Sequence, residues 1–183
     1  EAAIRKATRK PTGELTEVDL ERVTWLDLRN NQLTNVKGLE KLTQLKDLYL
    51  GHNQLTDVKG LEKLTQLTIL KLHNNQLTDV KGLEKLTQLG TLYLDYNQLT
   101  DVKGLEKLTQ LWGLGLEHNQ LTDVKGLEKL NQLKELHLNN NPDLTKAQIA
   151  ELQKALPNCT INSSHPLTKK ESGKAIERAI RGE

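Results

Sequence analysis

The sequence predicts an α/β solenoid in which each coil is a short strand followed by a 3₁₀-like return, closed by helices at both ends. Three observations carry this prediction. The first is a repeat: NQLTDVKGLEKLTQ at 53–66 recurs unchanged at 75–88 and 97–110, and with one substitution each at 31–44 and 119–132. The spacing is 22 residues throughout, a fixed period that signals stacked supersecondary units. The second is the LxLxxN segment, whose alternation of apolar and polar residues is the period of a strand with one buried face. The third is the spacing of Val58, Leu61 and Leu64 by threes, which fits a 3₁₀ turn better than a full α-helix.

In chain order, residues 1–10 (EAAIRKATRK) read as a short helix with Ile4 and Ala7 on one side, stopped by Pro11-Thr12-Gly13. Leu15, Thr16 and Val18 match Leu33, Thr34 and Val36, so residues 15–20 are expected to be a shortened half-repeat covering the first coil's open core. Together these form an N-terminal cap over 1–22.

Repeats of 22 residues then fill 23–141. Within each, Leu48 and Leu50 or their equivalents point inward, while Asp47 and Tyr49 point outward. Gly60 permits a tight entry to the return. Asn recurs at 31, 53, 75, 97, 119 and 141. A buried amide column is expected there, bonding backbone groups of the turn that water cannot reach.

Residues 142–161 depart from the frame. Thr145-Lys146-Ala147-Gln148 is a capping box opening an amphipathic helix with Ile149, Leu152 and Leu156 inward. Leu156, Cys159 and Ile161 fall on the LxxLxL rhythm and predict a seventh strand, with Cys159 as a buried small hydrophobe at a leucine position. Residues 162–183 read as a polar linker and a last helix, opened by a capping box at Thr168 and carrying Ala175, Ile176, Ala179 and Ile180 on one side. ERAIRGE at the end echoes EAAIRKA at the start, so the terminal helices offer a route to self-association.

The LxxLxLxxNxLxxVxxLxxLxx pattern over residues 15–161 resembles the leucine-rich repeat family, in its 22-residue class as found in bacterial internalins. The resemblance implies a horseshoe with a parallel sheet on the concave side and short returns on the convex side. It also implies partner binding on the concave face.

Composition narrows the function. The 26 basic and 24 acidic residues are interspersed, and the net charge of +2 points to neither nucleic acid nor a membrane surface as partner. The single cysteine excludes an intrachain disulfide, so redox compartment is left open, and localisation with it. No apolar run has the length of a transmembrane helix, and no signal peptide is visible. The start at Glu1, the absence of Met and the near-identity of the repeats point to a processed or engineered product, such as an idealised scaffold.

Between the constant blocks lie eight variable residues in which only the leucines persist. All five aromatic residues fall there at non-leucine positions (Trp25, Tyr49, Tyr93, Tyr96 and Trp112), as do four of the five histidines. Tyr and Trp offer stiff contact area with a polar tip, so their display on a face the core does not use points to recognition. Rows across the sheet place Lys71 between Tyr49 and Tyr93, where a cation–π sandwich is expected. Gly90, Gly113 and Gly115 are expected to leave a shallow depression beside Trp112 and Tyr93. His73, Asp95, Glu117 and His118 form a His/carboxylate group that could ligate a divalent metal; the simpler reading is a solvated ladder in which His73 relieves two crowded carboxylates. Neither a nucleophile–base pair nor a phosphate-binding glycine loop is present, so neither catalysis nor a cofactor is expected.

The binding face is therefore expected to comprise Trp25, Tyr49, Ile69, Lys71, His73 and Tyr93, continuing through Asp95, Tyr96, Trp112, Glu117, His118 and His137. It is expected to take a protein or peptide, or alternatively a small ligand such as a carbohydrate. A pure scaffold is the third alternative. The repeated convex charges (Asp57, Lys59, Glu62, Lys63 and their copies) read as a solubilising surface.

Overall fold

The structure is a computed structural model that describes residues 2–164. The helix expected from Thr168 onward, and its part in any self-association, lies outside the described residues. Seven strands form one parallel sheet in sequential order: β1 (Trp25–Asp27), β2 (Asp47–Tyr49), β3 (Ile69–Lys71), β4 (Thr91–Tyr93), β5 (Gly113–Gly115), β6 (Glu135–His137) and β7 (Thr160–Asn162). Register is constant along the array. Leu26, Leu48, Leu70, Leu92, Leu114 and Leu136 stand in one column, as the sequence predicts.

The 3₁₀ returns lie at Leu39–Lys41, Leu61–Lys63, Leu83–Lys85, Leu105–Lys107 and Leu127–Lys129. Strand and return leucines meet inside each coil, and Leu67, Leu70, Leu72, Leu77, Leu83 and Leu86 are all fully buried. A coil supplies only part of that packing and its neighbours supply the rest, so stability belongs to the stack.

Each return is fixed by residues of the constant block. Gly60 sits at φ +103°, a left-handed conformation that disfavours any side chain. Its N–H donates to Glu62 Oε2 at 2.6 Å, and the Lys59 N–H donates to Asp57 Oδ1 at 3.0 Å. The pattern repeats at Glu84 and Asp79. Hydrogen bonds from their own N–H, and then from the glycine's, hold the carboxyls of Glu40 and Glu84 below the ordinary range. The acidic rows expected to be merely solubilising thus also close the turns.

The asparagine column staples one coil to the next. Asn75 Oδ1 accepts the Leu55 N–H of the preceding coil at 3.0 Å, while its Nδ2 donates to the carbonyls of Leu50 and Leu72 at 3.0 and 2.9 Å. Asn53, Asn97, Asn119 and Asn141 do the same and are buried. Asn31 departs from the expectation: it is exposed, because no earlier repeat turn lies beneath it, and its Nδ2 bonds only the Arg29 carbonyl, at 2.7 Å.

The ends differ more from the repeat than the sequence predicts. Helix α1 (Ala2–Thr8) lies against β1 with Ile4 and Ala7 packed on the core. Residues 15–20 are not a half-repeat. Thr16 and Asp19 form a capping box that starts helix α2 (Glu17–Glu21), and Val18 is 57% exposed where Val36 is buried. At the other end, Thr145 and Gln148 form the expected box of α3 (Lys146–Ala155), with Ile149, Leu152 and Leu156 buried. In β7 it is Ile161, not Cys159, that pairs with Leu136; Cys159 is bonded to the Leu156 carbonyl one step earlier. The thiol is buried as expected, and burial pushes it up to about 11, away from the reactive thiolate.

Candidate functional site

Strand alternation that buries one leucine column turns its neighbours to the open face of the sheet. The row Asp27, Tyr49, Lys71, Tyr93, Gly115, His137 is in register across six strands. Lys71 Nζ lies 4.9 Å from the Tyr49 ring centroid and 5.3 Å from that of Tyr93, the sandwich expected from sequence. Trp25 meets Tyr49 edge-on at 5.9 Å, and Arg29 lies 5.6 Å over the same ring. Arg29 is itself held by Asp27, with an Nη2–Oδ2 distance of 2.7 Å. Trp25, Tyr49, Lys71 and Tyr93 are one continuous strip, with half-buried Ile69 beside it. Arg29 joins this strip although sequence did not single it out; its place in the rows was the available signal.

Beyond the strands, the residue before each conserved Asn has a left-handed backbone. Asn30, Asn74 and Asn140 occupy this position in three coils; His52, Tyr96 and His118 occupy it in the others, at φ 57°, 56° and 51°. Asn adopts that conformation more readily than a bulky ring does. The rings nevertheless pack in pairs. Tyr96 stacks on His118 at 4.1 Å with 13° between the planes, and His52 meets His73 edge-on at 5.1 Å. The second pairing corrects the expectation for His73: it turns toward β2, over Gly51, and does not reach the carboxylates. Burial, with His52 and Lys71 nearby, lowers its pKa.

The carboxylates are served from the other side. Asp95 Oδ1 accepts the Glu117 N–H at 2.9 Å, and Glu117 Oε1 accepts from Asn139 Nδ2 at 2.6 Å with His137 Nδ1 at 3.5 Å. His118 Nε2 bonds Asn140 Nδ2 at 2.8 Å instead. Burial raises the Asp95 carboxyl above its ordinary range. The His73–Asp95–Glu117–His118 group therefore does not converge. Among the described residues no three His, Cys, Asp or Glu side chains come together as metal ligands would.

The glycines do not leave the gap expected. A side chain at Gly90 would strike Trp112 Nε1 at 2.9 Å, and one at Gly115 would strike the Asp95 carboxylate. They are floors on which neighbouring side chains lie. A depression does exist, displaced to the start of the strands: about 400 Å³, bordered by Ile69, Gly90, Thr91 and Trp112. Trp112 stays 50% exposed at its rim. A separate cavity of about 460 Å³ lies on the convex side between α3 and the last return, remote from the aromatic strip. No helix of the described residues is long and apolar enough to cross a membrane.

The leucine rich repeat family, in its two-copy unit, is matched at residues 21–63 and again at 65–107. No curated protein matches the chain. Among solved structures, an internalin (inlF) from Listeria monocytogenes superposes with a TM-score of 0.84 at 26% identity, over 96% of this chain and 58% of that one. The functional domain of InlJ from the same organism, which includes a cysteine ladder, gives 0.78 at 30% identity, over 93% of this chain and 37% of that one. Internalin C2, also from Listeria monocytogenes, gives 0.56 at 25%, over 88% and 91%. The chain thus spans less than two thirds of the first of these internalins.

Proposed function

Because the chain is a leucine-rich repeat protein of internalin-like architecture, a fold generally used for protein interaction, we propose that it is a non-catalytic recognition module binding a protein or peptide on the open, concave face of its sheet. The observation that carries this reading is the contiguous strip from Trp25 to Tyr93, continued by Trp112 and by the Tyr96–His118 stack. Clustered exposed aromatics mark interaction surfaces. The near-identical frame supports an idealised scaffold whose open face alone was varied.

The left-handed rings add a second line of support. Folding alone favours Asn at that turn position, so His52, Tyr96 and His118 are retained at a conformational cost. His52→Asn should raise the free energy of unfolding by up to about 1 kcal/mol, measured by urea denaturation. A loss of stability would remove this line of support.

The main test is binding. Tyr93→Ala with Trp112→Ala should weaken a captured partner by about 2 kcal/mol or more, as loss of aromatic anchors does. The melting temperature should barely change, since neither side chain belongs to the buried core. Lys81→Ala on the convex face should leave affinity intact. A partner that binds the double mutant with undiminished affinity would move the site elsewhere. The depression beside Trp112 favours a second reading, a small-ligand site, for which soluble oligosaccharides are the direct probe.

A further inference from the structure

The open face has a charge unlike that of the whole chain. Its outward strand positions, and the residues just after each strand, carry Asp27, Asp47, Asp95, Glu117 and Glu135 against Arg29 and Lys71. Asp27 is matched by Arg29, and the other four carboxylates face Lys71 together with Lys46 and Lys134, which stand in the row of Trp112, an excess of one on a chain whose net charge is +2.

The excess is concentrated on β4 to β6. Among the described residues, neither Asp95 nor Glu117 has a Lys or Arg within ion-pair distance; Glu117 has only His137. The aromatic groups Tyr93, Tyr96 and Trp112 stand around them, surfaces on which a guanidinium or ammonium stem packs well.

The same face displays His52, His73, His118 and His137. His52 and His73 lie against each other with Arg29, Lys71 and Tyr49 alongside; His118 lies on Tyr96; and His137 faces Glu117, with Glu135 and Asp95 nearby. Three of the four imidazoles therefore lack a carboxylate partner, and only His137 competes for Glu117.

We propose that the protein segment this face takes is cationic, seating an Arg or Lys side chain at Asp95 and Glu117 among the aromatic rings. The proposal rests on the recognition reading above and adds the partner's charge. Complementary charge steers and selects partners.

The test uses a random peptide display library panned on the immobilised full chain near neutral pH. The expected clones are enriched in Arg and Lys. Their synthetic peptides should bind about tenfold more weakly to the Asp95→Asn/Glu117→Gln variant. Asn and Gln keep the carbonyl acceptors, so the variant's melting curve should match the parent's. Peptides that need Tyr93 and Trp112 but show no basic enrichment, or bind the Asp95→Asn/Glu117→Gln variant as tightly as the parent, overturn this proposal and leave the recognition reading standing. Peptides indifferent to both double variants, or none above background, overturn both. A chain that sediments as a dimer through this face makes a second copy the occupant and overturns the cationic segment.

Discussion

Leu92→Ala is expected to lower the free energy of unfolding by about 2–5 kcal/mol, the range for truncating a buried leucine. The side chain is wholly buried in the middle of the array, with Leu70 and Leu114 beside it in the column. Those neighbours are held by their own strands and asparagine staples, so the cavity cannot collapse, and the cost should fall in the upper part of the range. Urea denaturation followed by far-ultraviolet circular dichroism reads it directly. Because neighbouring coils stabilise one another, the variant should also broaden the transition as the two halves begin to unfold apart. A loss under about 1 kcal/mol would mean that the stacked register is wrong.

Asn97→Ala should cost about 1–3 kcal/mol although it removes no hydrophobic surface. The amide serves three buried backbone groups, beside a longer, part-buried bond to the Asp95 carbonyl at 3.3 Å: Oδ1 accepts the Leu77 N–H at 3.0 Å, and Nδ2 donates to the Leu72 and Leu94 carbonyls at 3.1 and 3.0 Å. All three lie inside the stack, where water cannot replace the lost partner. Asn31→Ala is the internal control, since that residue is exposed and bonds one carbonyl; its effect should be several-fold smaller. Equal effects at the two positions would show that burial is not what makes the column costly to interrupt.

Much of the fold was legible because the repeat states its own rules several times. The leucine alternation places every strand, the glycine marks the left-handed entry to each return, and Thr145 with Gln148 marks the start of α3. What failed lies where the repetition stops. Residues 15–20 share Leu, Thr and Val with the frame, but Thr16 and Asp19 also make a helix cap, and with no earlier coil to pair with, the cap prevails. At β7 the step in the column lengthens from 22 residues to 25, so pattern matching put Cys159 where Ile161 belongs. On the open face, sequence placed each residue in its row but not its rotamer. His73 turns to His52 and Asp95 leans over Gly115, choices made by contacts between strands that no spacing encodes.

The division of labour between a folding frame and a recognising face is tested most directly by hydroxyl-radical footprinting of the chain with and without its captured partner. Tyr49, Tyr93 and Trp112 react readily and lie on the open face, whereas the exposed side chains of the returns, such as Lys85 and Lys107, report on the convex side. Bound partner should protect the three aromatic residues strongly and leave the returns at Leu83–Lys85 and Leu105–Lys107 unchanged. Protection confined to the returns or to α1, with the aromatic residues as reactive as in the free chain, would contradict the account.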